Sequence, residues 1–136
     1  MMIDKLSHAT AYVLDQDRAK AFYREKLGFE VRQDVRMDGF RWLTVGPSTQ
    51  PDLEIVLMPV AESPMLDAQK ADMLRQLVES GALGVGVLET ADCRATYDEL
   101  KARGVTFLRE PTEMPYGLEA VLVDDSGNFF SLTQRR

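Results

Sequence analysis

Ala21-Phe22-Tyr23-Arg24-Glu25-Lys26-Leu27-Gly28-Phe29 recurs, after a small gap, as Thr96-Tyr97-Asp98-Glu99-Leu100-Lys101-Ala102-Arg103-Gly104-Val105. Each segment finishes a helix, turns on a glycine and enters a strand. Two copies indicate a duplicated supersecondary unit and not a solenoid. One copy alone would expose a face of its sheet. Two copies can pair and bury that face around a cavity.

Working outward from the first copy, Lys5–Leu14 reads as a strand. Leu6, His8, Thr10, Tyr12 and Leu14 point one way; Ser7, Ala9, Ala11 and Val13 point the other and suit the underside of a helix. Asp15-Gln16-Asp17 supplies an N-cap and a negative first turn for a helix over 18–26, with Ala19, Phe22, Tyr23 and Leu27 on its apolar stripe. Three strands follow: Phe29–Asp34, Phe40–Val45 and Leu53–Met58. Asp38-Gly39 turns the first into the second, and the loop from Gly46-Pro47 to Pro51-Asp52 joins the second to the third.

The second copy repeats this order. Leu83–Glu89 is a strand, Asp92–Arg103 a helix, and Val105–Arg109, Gly117–Val123 and Phe129–Gln134 are strands. Between the copies, Ser63-Pro64 can cap a linker helix with Leu66, Met73, Leu74, Leu77 and Val78 on its apolar side. The expected fold is α+β: one domain over 1–136, with βαβββ modules at about 1–60 and 82–136, a linker helix at about 61–81, and a half-barrel-like sheet around a cavity.

Length, composition and charge narrow the function. A chain of 136 residues with 45% hydrophobic content can build a core without disulfides or structural metal. A net charge of −6 argues against nucleic acid and anionic membranes as partners. No apolar run approaches a membrane span, no secretory pattern opens the chain, and Cys93 has no second cysteine to pair with. A cytoplasmic protein is the expectation. Phosphate-binding glycine loops, CxxC pairs, dinucleotide fingerprints and Ser-His-Asp patterns are missing from the sequence.

The two ends of the chain carry a resemblance. Ser7-His8-Ala9-Thr10, then Asp17, Ala21-Phe22-Tyr23 and Leu27-Gly28-Phe29-Glu30-Val31, resembles the opening of a vicinal oxygen chelate protein. Pro115-Tyr116-Gly117, Glu119-Ala120-Val121 and Asp124-Asp125-Ser126-Gly127-Asn128-Phe129-Phe130-Ser131-Leu132 resembles its terminal hairpin. The chain is thus similar to the small bacterial glyoxalase-like members of the glyoxalase/bleomycin-resistance/dioxygenase superfamily. The resemblance implies a homodimer or pseudo-dimeric monomer. In catalytic relatives it also implies one divalent metal (Fe, Ni, Mn or Zn) held by four His and Glu side chains, which polarises vicinal oxygens of a substrate.

Matched residue by residue, that ligand set is at most half present. His8 falls at the first position, and Glu54 can supply the second, though another register puts Val56 there. The third, near Ala82–Val85, has no histidine, because His8 is the only one in the chain; the fourth falls near Ser131. His8 therefore reads either as a metal ligand or as a cavity-lining imidazole, and Glu54 either as a ligand or as a solvent-facing strand residue. Trp42, Met58 and Tyr116 are further candidates to line a ligand: an aromatic surface, an adaptable thioether and a hydroxyl donor. Phe40 reads as core, Arg41 as surface, and Cys93 as a structural cysteine. The leading expectation is a protein that binds a small molecule without a complete metal site. The alternative is a metal-dependent lyase, isomerase or dioxygenase of glyoxalase type.

Overall fold

Asp15 and Asp92 begin the two module helices in the same way: each is extended, and its carboxylate accepts from the N–H of the residue three further on, Arg18 and Ala95. The computed structural model describes residues 2–136 and divides into two units, Met1–Val60 and Ala61–Arg136.

The first unit runs β1 (His8–Val13), α1 (Gln16–Ala21), a π-helical turn (Phe22–Lys26), β2 (Glu30–Met37), β3 (Phe40–Gly46) and β4 (Glu54–Pro59). Its sheet has the order β1-β4-β3-β2, with β1 parallel to β4 and the other pairs antiparallel. Strand alternation sorts the side chains. Ala11, Val13, Leu43, Val45, Ile55 and Leu57 are buried, as are Ala19, Phe22 and Tyr23 of the helix and its π-turn. Gln16 ties α1 to this sheet, donating from Nε2 to the carbonyls of Leu57 (2.9 Å) and Arg41 (3.2 Å). Asp38 (φ 48°) and Gly39 (φ 79°) form the two-residue hairpin that their sequence predicts.

The second unit runs α2 (Ala68–Glu79), β5 (Gly84–Glu89), α3 (Cys93–Ala102), β6 (Thr106–Met114), β7 (Gly117–Val123) and β8 (Phe129–Arg135). Its sheet order, β5-β8-β7-β6, repeats that of the first. Leu118, Ala120, Leu122, Phe130 and Leu132 are buried, as are Cys93 and Leu100 of α3. Burial pushes the Cys93 thiol above its ordinary range, which suits a structural cysteine.

Several sequence expectations need correction. Strand β1 starts at His8, not Lys5, and Leu6 is exposed. The linker helix is not capped by Ser63. That hydroxyl accepts from the N–H groups of Met65 and Leu66 in a tight turn, and Asp67 caps α2 by accepting from Lys70 N–H at 2.8 Å. On α2, Ala71 and Val78 are buried, whereas Met73 and Leu77 are exposed. Strand β6 does not end at Arg109 but continues through Pro111 to Met114. It lies at the sheet edge with register shifts on either side of Arg109, where a residue lacking N–H is tolerated. Phe40 is exposed and not core. Arg41 is not a surface residue: its side chain keeps only 9% of its surface, because Asp17 and Asp34 neutralise the guanidinium.

Candidate functional site

One face of the first sheet carries the unusual residues. The pairing of β1 with β4 sets His8 directly opposite Glu54, so both fall at the start of their strands. On the same parity follow Thr10 and Tyr12 of β1, then Val56 and Met58 of β4, where Met58 is half-buried. Strand β3 contributes Trp42 and Thr44, and Thr44 pairs with Val56.

The polar groups at the head of this face form a chain. Thr44, fully buried, donates its hydroxyl to Glu54 Oε1 at 2.6 Å. Glu54 Oε2 lies 3.7 Å from His8 Nε2, with the side chains 23% and 40% exposed. On its other side His8 Nδ1 meets the Ser7 hydroxyl at 2.9 Å. The imidazole also leans over Trp42, with centroids 6.0 Å apart and planes inclined at 49°. Trp42 donates its indole N–H to Gln33 Oε1 at 2.5 Å, which fixes the ring.

Beyond Trp42 the same face becomes apolar. Val35 pairs with Trp42, and Met37 pairs with Phe40. Val35, Met37 and Phe40 are all exposed. The opposite face of this hairpin holds charge instead. Arg41 bonds Asp34 with Nε (2.8 Å) and Nη2 (3.0 Å), and Asp17 with Nη1 (2.6 Å), while Lys20 reaches Asp34 at 2.8 Å. These bonds hold the Asp34 carboxyl well below the usual range.

The corresponding face of the second unit has a different content. Register equates Trp42 with Glu119, because Val35–Trp42 and Thr112–Glu119 are matching pairs of their repeats. Likewise Thr44–Val56 matches Val121–Ser131. Glu119 pairs with Arg109, accepts from the Ser131 hydroxyl at 2.5 Å and also bonds Tyr116. Ser131 in turn meets Thr133 at 2.7 Å. Burial raises the Glu119 pKa, but its bonds to Ser131, Tyr116 and Arg109 outweigh this and lower it overall. The same bond raises that of the Tyr116 hydroxyl.

Does the donor set fit a divalent metal? His8 and Glu54 are side by side, but one Glu54 oxygen is already taken by Thr44. Among the described residues, no group of three or more His, Cys, Asp or Glu side chains comes together. The third and fourth family positions hold Ala82–Val85, without a donor of this kind, and Ser131, bonded to Glu119. A closed structural site takes four protein ligands and an open catalytic one three, so this set of two fits neither.

Sequence reasoning named His8, Glu54 and Trp42, which the structure sets on one sheet face, but did not single out their bonding partners Thr44 and Gln33 or the Arg109–Glu119 pair. The signal was present for two of them. Thr44 shares strand parity with Trp42, and Glu119 is an acid on a strand face otherwise set by Val121 and Val123. Gln33 and Arg109 lie beside register shifts, which strand alternation cannot anticipate.

Comparison with known proteins follows from this fold. The description "Glyoxalase/Bleomycin resistance protein/Dioxygenase superfamily" matches residues 5–132. An uncharacterized protein of Bacillus subtilis (strain 168), YurT, is 37% identical over 132 residues, covering 96% of this chain and 99% of its own. The crystal structure of UcmS2 superposes with a TM-score of 0.93 at 53% identity, covering 98% of this chain and 99% of that one. TnmS3, described as an antibiotic binding protein from Streptomyces sp. CB03234, superposes with a TM-score of 0.79 at 30% identity, over 100% and 99%. With its duplicated βαβββ units and a match over nearly its whole length, the chain belongs to the glyoxalase/bleomycin resistance protein/dioxygenase superfamily.

Proposed function

We propose that the chain binds a flat, largely apolar small molecule against the Trp42 face of its first sheet, without a resident metal. One observation carries this reading: an exposed ladder of Val35, Met37 and Phe40 leads into Trp42, and hydrogen-bonding groups stand at its head. Water-exposed apolar side chains in cross-strand register cost stability unless something covers them. A planar ring can stack on the indole while its substituents reach His8 and Glu54. Met58, on the same face as Glu54, supplies an adaptable apolar wall. Tyr116, in the second unit, can donate its hydroxyl to a ligand only by releasing Glu119. The likeness to TnmS3 supports an antibiotic-sized ligand.

Two broader parts of the proposal are a homodimer and a cytoplasmic location. Val87 and Leu108 of the second unit, each 61% exposed, favour cover by a second copy. The buried lone Cys93 suits a reducing compartment. No helix among the described residues is long and apolar enough to cross a membrane.

Trp42 is the only tryptophan in the chain, so its fluorescence reports on the proposed site alone. Bleomycin and a panel of polycyclic aromatic antibiotics should be titrated against it. A saturable change with at least one compound, unaffected by EDTA and matched by a rise in Tm, is the expected result. Trp42→Leu should abolish the rise in Tm. The alternative, a metal-dependent lyase, isomerase or dioxygenase using His8 and Glu54, would replace this reading if purified protein holds stoichiometric metal that His8→Ala loses.

A further inference from the structure

We infer that the ligand of the Trp42 face carries a cationic nitrogen, of the ammonium or amidinium class, that seats against Glu54. The inference deepens the small-molecule reading above and rests on it. The argument begins with how this chain treats its half-buried carboxylates. Asp34 is neutralised by Arg41 and Lys20, and Glu119 by Arg109. Glu54 is as sheltered as Asp34, both being 23% exposed, yet among the described residues no lysine or arginine lies within 4.0 Å of it.

Its two oxygens have different surroundings. Thr44 holds Oε1 at 2.6 Å and so fixes the plane of the carboxylate. Oε2 lies 3.7 Å from the His8 imidazole, which is beyond hydrogen-bond length. An imidazole is no fixed cation in the way a guanidinium is. Among the described residues, the site therefore presents an oriented carboxylate with no lysine or arginine beside it. His8 bridges it to Trp42, placing it within one ring's reach of the stacking surface. A planar ligand with a cationic nitrogen on a short arm satisfies both features. An anionic one would meet repulsion from Glu54 and find no fixed cation beside it.

Three probes that share one ring system isolate the effect: 2-naphthylmethylammonium, 2-naphthalenemethanol and 2-naphthoate, titrated calorimetrically against the full chain at pH 7.5. Charge-assisted hydrogen bonds predict that the ammonium binds about tenfold more tightly than the alcohol, and the carboxylate more weakly than either. Raising the salt should shrink the preference. Glu54→Gln should bring ammonium and alcohol within about twofold of each other. Equal affinities for all three, a carboxylate that binds tightest, or a preference that survives Glu54→Gln would overturn the charge assignment and leave the planar-ligand reading standing. If none of the three binds and the antibiotic panel also fails, both fall. Should Glu54→Gln not fold, the ranking of the three probes on the natural chain and its salt dependence still decide.

Discussion

Arg41 shows how a single residue can be misread from its type. An arginine on an exposed hairpin reads as surface, yet this one ties β3 to α1 through Asp17 and to β2 through Asp34. Replacing it by methionine keeps the stem and removes the fork. Asp34 then keeps only Lys20 as its cation. The expected cost is about 1–3 kcal/mol in urea unfolding at pH 7. The pH dependence has a definite sign. Asp34 has a pKa lowered by folding, so its contribution is present above its unfolded value near 3.8 and disappears as pH falls towards the folded one. The stability gap between the natural chain and Arg41→Met should therefore be full at pH 6–7 and narrow steadily below about pH 4. A gap that stays constant down to pH 2.5 would show that the ion pairs contribute nothing. At this scale the clustering of His8, Glu54 and Trp42 on one sheet face was legible because their residue types are scarce or strand parity isolates them. Thr44 was not, because one hydroxyl in a strand is unremarkable until its partner is placed opposite.

Among elements, the β7–β8 hairpin is the clearest case of a turn read correctly for an incomplete reason. Asp125-Ser126-Gly127-Asn128 announces a turn by composition. What holds it is the residue before. Asp124, buried, accepts at Oδ1 from the N–H groups of Ser126 (2.9 Å), Gly127 (3.0 Å) and Asn128 (2.9 Å), and at Oδ2 from the Asn128 amide (3.0 Å). Gly127 then takes a φ of 117° and passes so close to the Val78 carbonyl that a Cβ would collide with it. Asp124→Ala leaves three backbone donors without that acceptor, two of them in buried residues. It should cost about 2–4 kcal/mol in denaturant unfolding. Elements were otherwise legible where caps and glycines mark their ends, as at Asp15 and Asp92. They were not where tertiary context overrides local chemistry: Pro111 lies inside an edge strand, and Asp67 takes the cap that Ser63 seemed to offer.

At the scale of the molecule the duplication explains the fold, and its two copies have diverged in what each sheet face carries. Matched register puts Trp42 where the second copy has Glu119, Val35 where it has Thr112, and Val56 where it has Ser131. One repeat keeps an apolar platform; the other has become a hydrogen-bonded network around an ion pair. Each unit still leaves apolar side chains in water, and in the second these include Val87 on β5, opposite Ser131. A β-branched residue at 61% exposure on an edge strand invites a partner. The proposed homodimer predicts a solution mass of twice the 15.3 kDa chain by light scattering. Val87→Asp would place a charge on that strand and should shift the mass towards one chain, with circular dichroism unchanged. A natural chain that stays monomeric at 100 μM would remove the dimer from the proposal, and a dimer indifferent to Val87→Asp would move its interface elsewhere.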